Sequence, residues 1–354
     1  MHTLRSCTLA ALAVSLSPFA PAQQGFANYE LVFEGTWGPA THPVMFPPGP
    51  HFSSLIGGLH DAGTVFWEEG QLASPGIKAM AELGLTGPMR NEVFAEISGG
   101  GAQSALQFFG LAVSPAMRRE RFTVWAEFSH ITLVSMLAPS PDWFVGVGGL
   151  NLRPGGVWAD ELEVPLELYD SGTDSGVWYT SPDEVTQPPI PIAKIDTSAG
   201  PFQGQGTIVG KFIFRRVSSN LVYGCGVNPD GSMTALSGPP IIGTTVRLGL
   251  HDASLSMTTP ALTVFAIGLV PDAAFPCGTS VNGLGLAPGS PGELLVAPPF
   301  PVLPGPMWNG APAQLDLVIP GLPRLVGSRV YVQGAISDGT RVGLTDAAEL
   351  LIGS

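Results

Sequence analysis

Charge is scarce in this chain, and positive charge is scarcer. Asp, Glu, Lys and Arg make up 12% of 354 residues, with 15 Lys and Arg against 28 Asp and Glu, a formal net charge of −13. Binding nucleic acid requires clustered cations to neutralise phosphates, so this balance excludes it as a partner class. The densest basic run, Arg118-Arg119-Glu120-Arg121, reads as a solvated strand approach. Beyond the N-terminal segment no apolar stretch nears the roughly twenty residues of a membrane-spanning helix, so no transmembrane segment is expected. Catalytic signatures are also missing. There is no Gly-x-Ser-x-Gly elbow and no His-Glu-x-x-His, and His251-Asp252 reads as a turn. The Gly-x-Gly strings at 204–210 and 283–289 lack the strand–turn–helix setting of a dinucleotide loop. His42, His51 and His60 match no zinc spacing and read as packed or surface residues.

What is abundant is glycine and proline, 46 and 35 residues, within a chain that is 45% hydrophobic. Both types favour bends over helix interiors, so the composition describes many short strands joined by tight turns around real cores. The fold class read here is mostly β: two antiparallel β-sandwich domains, the first with two short inserted helices. Length gives the prior of two domains. Residues 1–22 read as a cleavable secretory signal: Arg5, an apolar run from Cys7 to Phe19, and Ala20-Pro-Ala22 before Gln23. Cleavage removes Cys7 and leaves Cys225 and Cys277, a disulfide candidate in an oxidising, exported compartment. The expected location is secreted or cell-surface.

The first domain is placed at 28–215. Tyr29–Trp37 alternates with Tyr29, Leu31 and Phe33 on one face, and Thr64–Trp67 reads as a second strand. Ser74-Pro75 opens a helix that Gly84 stops, with Ile77, Met80 and Ala81 on its apolar stripe. Thr86-Gly-Pro88 opens another that ends at Gly99-Gly-Gly101 and buries Val93, Phe94 and Ile97. Strands resume at 122–128, 131–137 and 158–168. The last points Leu162, Val164, Leu166 and Leu168 inward, and Pro165 marks it as an edge or a bulge.

The chemistry-bearing stretch is Ala138-Pro-Ser-Pro-Asp-Trp-Phe-Val-Gly-Val147 with Tyr169-Asp-Ser-Gly-Thr-Asp-Ser-Gly176. A hydrophobic strand stops at two prolines, which places Asp142 at a strand-end loop. Asp170 and Asp174 flank Gly172 after another strand. Three carboxylates on neighbouring loops suit a hard cation, Ca2+, which takes six to eight oxygens; Asp183 or Glu161 is available to supply more. The alternative is that Asp142 caps a turn while Asp170 and Asp174 form Asx-turns around Gly172.

These two motifs, with Tyr29–Trp37, Gly38–His42, His51–His60 and Phe66–Lys78, resemble the N-terminal spondin domain shared by F-spondins and mindin, over about residues 28–195. The resemblance implies an antiparallel sandwich similar to the calcium-dependent phospholipid-binding sandwiches, in a secreted matrix or adhesion protein. It also implies a calcium site at Asp142, Asp170 and Asp174. One departure limits it. A glutamate linked to integrin adhesion in vertebrate members falls at Thr123 here, so integrin binding does not transfer. Thrombospondin-type repeats are absent.

Pro188–Pro191 and Thr197–Pro201 read as a stiff linker to a second sandwich at 221–354, with strands at 244–250, 262–267, 292–296, 314–319 and 329–333 and a hairpin turn at Asp338-Gly339. This half resembles in composition the accessory β-modules of exported bacterial proteins. The reading as a whole is a secreted, calcium-binding, non-enzymatic adhesion or recognition module for an extracellular protein or glycan. The alternatives are an exported hydrolase of polysaccharide or lipid using the acidic loops, and a purely structural surface protein.

Overall fold

Residues 25–198 and 200–354 are described by a computed structural model, so the signal-peptide reading of 1–22 lies outside the described residues. The first half forms β1 (Gly25–Gly35), β2 (His51–Phe52), β3 (Leu55–His60), α1 (Pro75–Leu83), α2 (Gly87–Gly99), β4 (Ala102–Phe108), β5 (Ala116–Trp125), β6 (His130–Ala138), β7 (Trp143–Asn151), β8 (Glu161–Asp170) and β9 (Ala193–Lys194). Then come β10 (Ile208–Tyr223), β11 (Met233–Ala235), β12 (Thr245–Leu250), β13 (Leu262–Gly268), β14 (Thr279–Val281), β15 (Gly292–Leu294), β16 (Val302–Pro304), β17 (Ala313–Val318), β18 (Arg329–Ser337) and β19 (Val342–Leu351). The chain is mostly β, and all the pairings of these strands are antiparallel.

Strands β3 and β6 and the first half of β7 are buried on both faces, which explains why β6 reads as an unbroken apolar run. One face sends Leu55, Leu133, Leu137 and Val145 into a core with Tyr29, Phe33, Phe212 and Phe214 of β1 and β10. The other sends Ile56, Val134, Met136 and Phe144 against Ile77, Met80, Met89 and Val93 of the two helices. Strand β8 joins the layers. Its early residues pair with β10, its last three with β7, and a register shift beside Pro165 marks the change. Pro165 therefore sits at a bulge in an interior strand.

The helices form where capping dictates. Ser74 Oγ accepts the Ile77 N–H at 3.1 Å, Pro75 opens the first turn, and Gly84 closes α1 at φ 64°. Glu92 of α2 reaches across and accepts from Ser74 Oγ and the Gly76 N–H. On α2 the buried pair is Met89 and Val93. Phe94, expected inside, is half exposed. Thr64–Trp67 is not a strand. The Asp61 carboxylate accepts from the N–H groups of Gly63 and Thr64, turning the chain so that Phe66 and Trp67 plug the helix-facing core from a loop. Their alternation reflected packing of a plug and not a pleat.

The proline-rich stretch expected as a linker is a strap instead. The Ile190 N–H donates to Gly172 O and the Ile192 N–H to Gln71 O, while Phe202 is fully buried against Trp143 and Tyr179. Continuity between the halves runs through β10. Of its sixteen residues, those within 210–221 pair with β1, the early ones also with β8, and 219–223 with β19. The second half packs its own core from Val246, Leu248, Leu250, Phe265, Val332 and Leu350. Cys225, just beyond β10, is disulfide-bonded to Cys277, with Cα atoms 5.1 Å apart.

Candidate metal centre on the strand-end rim

Strands β6 and β8 both run antiparallel to β7, so they end at one rim. The β6–β7 turn carries Asp142, and Trp143 pairs with Asp170 at the end of β8. Topology thus brings the two acidic motifs together across 28 positions of sequence. Ser140 shapes the turn: its Oγ donates to Leu137 O and accepts from the Trp143 N–H.

Asp142 has no solvent exposure. Its Oδ2 accepts from Ser171 Oγ (2.9 Å) and from the N–H groups of Thr173 (2.8 Å) and Asp174 (3.1 Å), while the Ser171 N–H donates to its backbone oxygen. Its Oδ1 is buried and has no hydrogen-bond partner. Asp170 Oδ1 accepts from the Gly172 N–H at 2.7 Å. Asp174 is nearly buried and uses both oxygens, accepting from the Gly176 N–H (2.7 Å) and the Glu184 N–H (2.9 Å). Asp170 and Asp174 thus each accept the backbone N–H two positions on, the Asx-turn geometry expected around Gly172.

The electrostatics follow from this crowding. Burial pushes the Asp142 carboxyl up, against the pull of the Thr173 and Asp174 N–H groups and of Ser171. Burial, then the charge of Asp142, pushes Asp170 up to about 6, while the Gly172 N–H and the Trp143 indole pull it down. A carboxylate raised by like charges favours ionisation once a cation enters. The three residues do not bring one oxygen each within 4.8 Å of one another. Among the described residues the set that does, Cys225, Cys277 and Glu293, is a disulfide beside a carboxylate, and its sulfurs are not thiolate ligands.

Other residues considered from sequence fall elsewhere. Glu161 pairs with Arg215 at the far end of β8, about 30 Å from Asp170 at roughly 3.3 Å per residue, so it supplies nothing to this rim. Asp183 lies exposed in the loop that returns to pair with Asp174 through Val185. His42 bonds to Gly206 O and His60 to Thr132, and His51 is exposed, so these three histidines do not converge. Thr123 lies on β5, its hydroxyl donating to Asn28 Oδ1. Sequence reasoning missed Ser171 and Thr173, which organise Asp142. The signal was present, since hydroxyl residues flank Gly172 on both sides, between the two aspartates of Asp170-Ser-Gly-Thr-Asp174.

The spondin N-terminal family model, described as Spondin_N, matches residues 27–205, about half of the chain. Human (Homo sapiens) Spondin-1 is 33% identical over 223 residues, covering 58% of this chain and 27% of Spondin-1. Human Spondin-2 is 31% identical over 182 residues, covering 50% of this chain and 54% of Spondin-2. Spondin-1 of Xenopus laevis is 34% identical over 222 residues, with 58% and 27% covered. The chain thus spans about half or less of the length of these relatives. No helix among the described residues is long and apolar enough to cross a membrane. The chain belongs to the spondin N-terminal domain family.

Proposed function

We propose that this protein is a secreted, calcium-binding adhesion or recognition module without enzymatic activity, and that Asp142, Asp170 and Asp174 hold the ion. The observation that carries the reading is the fully buried Asp142 carboxylate, whose Oδ1 has no partner while its Oδ2 is held by three residues of the opposing loop. A buried, ionisable oxygen without a hydrogen bond is costly unless a cation takes it. The donor set is all oxygen, which suits calcium, and backbone carbonyls and water would complete its shell. Calcium would supply charge neutralisation here and fix two loops to each other. The chain's own residues contribute the framework, with Ser171 and Thr173 orienting Asp142 and the strap at 188–192 holding the Gly172 turn.

The arrangement favours a binder over a hydrolase, because a glycosidase sets two carboxyls across an open cleft, whereas these lie on one strand-end rim with Asp142 fully buried. The ligand class proposed is an extracellular protein or glycan. Calorimetric titration of the mature chain with calcium, beside an Asp170→Ala/Asp174→Ala variant, tests the reading. Saturable heat in the wild type that is lost in the variant supports it; a wild type with neither heat nor thermal shift removes it.

A further inference from the structure

Strands β7 and β8 part company after three pairs. Trp143, Phe144 and Val145 pair with Asp170, Tyr169 and Leu168; beyond them β7 keeps only β6 as a partner and residues 161–167 of β8 keep only β10. The two free edges face each other. The Leu168 N–H donates to Thr207 O and its carbonyl accepts from the Ile195 N–H, so both point away from β7. Backbone groups alternate sides along a strand, which turns Glu167 and Pro165 toward β7. Pro165 offers no N–H on that edge, which is why the strand tolerates it there. Between the edges lies a cleft of about 560 Å³, the size of a ligand site.

The β7 wall of the cleft is bare main chain at Gly146, Gly148 and Gly149. Close packing requires two of these glycines: a Cβ on Gly146 would stand 2.3 Å from Leu133 O, and one on Gly148 2.8 Å from Trp67 O. Trp67 and Tyr169 also line the cleft, their ring centroids 5.0 Å apart edge to face, and the Trp67 indole N–H is pinned on Val147 O at 3.3 Å. Every charged residue of the lining is a glutamate: Glu68, Glu69 and Glu167. Glu68 accepts from Gln71 Nε2, and Glu167 accepts from Thr207 Oγ1 at 2.8 Å with Lys194 3.9 Å away. Among the described residues neither Glu68 nor Glu69 has a cationic partner.

We propose that this cleft is the docking site for an extended, Lys- or Arg-bearing segment of an extracellular protein partner, laid along the open edge of β7 with a cationic side chain toward Glu69 and Glu167. The proposal rests on the recognition reading above and names its partner class. An unpaired strand edge is a template for an added strand, and residues 146–151 offer roughly 20 Å of it, enough for five or six residues. The glycine wall lets a second backbone approach, and the apolar lining takes side chains on one face of the added strand. Charge selects the occupant: a glutamate-only lining repels acidic segments and attracts basic ones.

The test selects peptides from a random dodecapeptide display library on the full mature chain. The selected sequences should be rich in Lys and Arg, compete for one site, and bind on the order of tenfold more weakly to Glu69→Gln/Glu167→Gln. Glu161→Gln/Glu163→Gln removes equal charge from β8 at residues paired with Arg215 and Lys211 outside the cleft, and should leave binding unchanged. Methylating one alternate set of backbone amides in a selected peptide should abolish binding, and methylating the other set should spare it. Should Glu167→Gln unsettle the fold, Glu69→Gln alone, on an exposed loop, should still weaken binding about threefold. A library that yields no binder, binders indifferent to Glu69 and Glu167, equal weakening by both double variants, or indifference to backbone methylation overturns the proposal. All these variants keep Asp142, Asp170 and Asp174, so calcium calorimetry on the same proteins separates failure of the rim from failure of the cleft.

Discussion

Gly172 shows how tightly single residues are specified around the candidate metal centre. It adopts φ 74°, and a Cβ there would stand 2.1 Å from Ile190 O. Gly172→Ala should therefore destabilise the protein by more than about 1 kcal/mol and weaken calcium binding, both readable from urea unfolding with and without the ion. Asp252 in the second half makes a pH prediction. Burial pushes its carboxyl up, but hydrogen bonds from Ser254, Met257 and Ser256 outweigh this and hold it below the usual value. With the folded value depressed, its stabilisation is present above the unfolded value near 4 and disappears as pH falls through the folded one. Asp252→Asn should lower Tm at pH 7 and narrow its gap to wild type in acid. At this scale the sequence was informative where chemistry is local: Asp142, Asp170 and Asp174 stood out because prolines and Gly172 punctuate their loops. Ser171 and Thr173 did not, since their roles depend on which strands become neighbours.

At the level of elements, local codes and tertiary roles separate cleanly. The caps of α1 were legible because Ser74, Pro75 and Gly84 act within a few residues. The strand misreading at 64–67 and the inverted face of Phe94 arose because alternation and apolar spacing report burial, not backbone shape. Sequence pattern suggests a last strand of the first domain over Gly204–Phe214, which covers only the start of β10. Its sixteen residues alternate less cleanly because it is shared by partners on both sides. The disulfide just after it closes a separation of 52 residues. Loop-closure entropy puts Cys225→Ser/Cys277→Ser at about 4 kcal/mol of lost stability, measurable as a drop in the denaturation midpoint.

Across the whole molecule, the two halves are joined by hydrogen-bonded strand and by buried charge. Arg216 of β10, almost fully buried, pairs with Asp160 and with Glu349 of β19, and Arg329 of β18 contacts the same two carboxylates. Removing one member of such a set leaves uncompensated charge, so Arg216→Met should cost on the order of 3 kcal/mol. Because β10 belongs to both halves, tryptophan fluorescence and far-ultraviolet circular dichroism should report one coincident unfolding transition in wild type. The central claim is the proposed cation site on the strand-end rim, with the unpartnered Oδ1 of Asp142 as its anchor. The most direct measurement is a crystal structure grown with calcium, with anomalous differences recorded. The account predicts a peak about 2.3–2.6 Å from Asp142 Oδ1, with Asp170 and Asp174 drawn to it. A rim without a peak, with Asp142 Oδ1 bonded to water or to a protein donor, would contradict it.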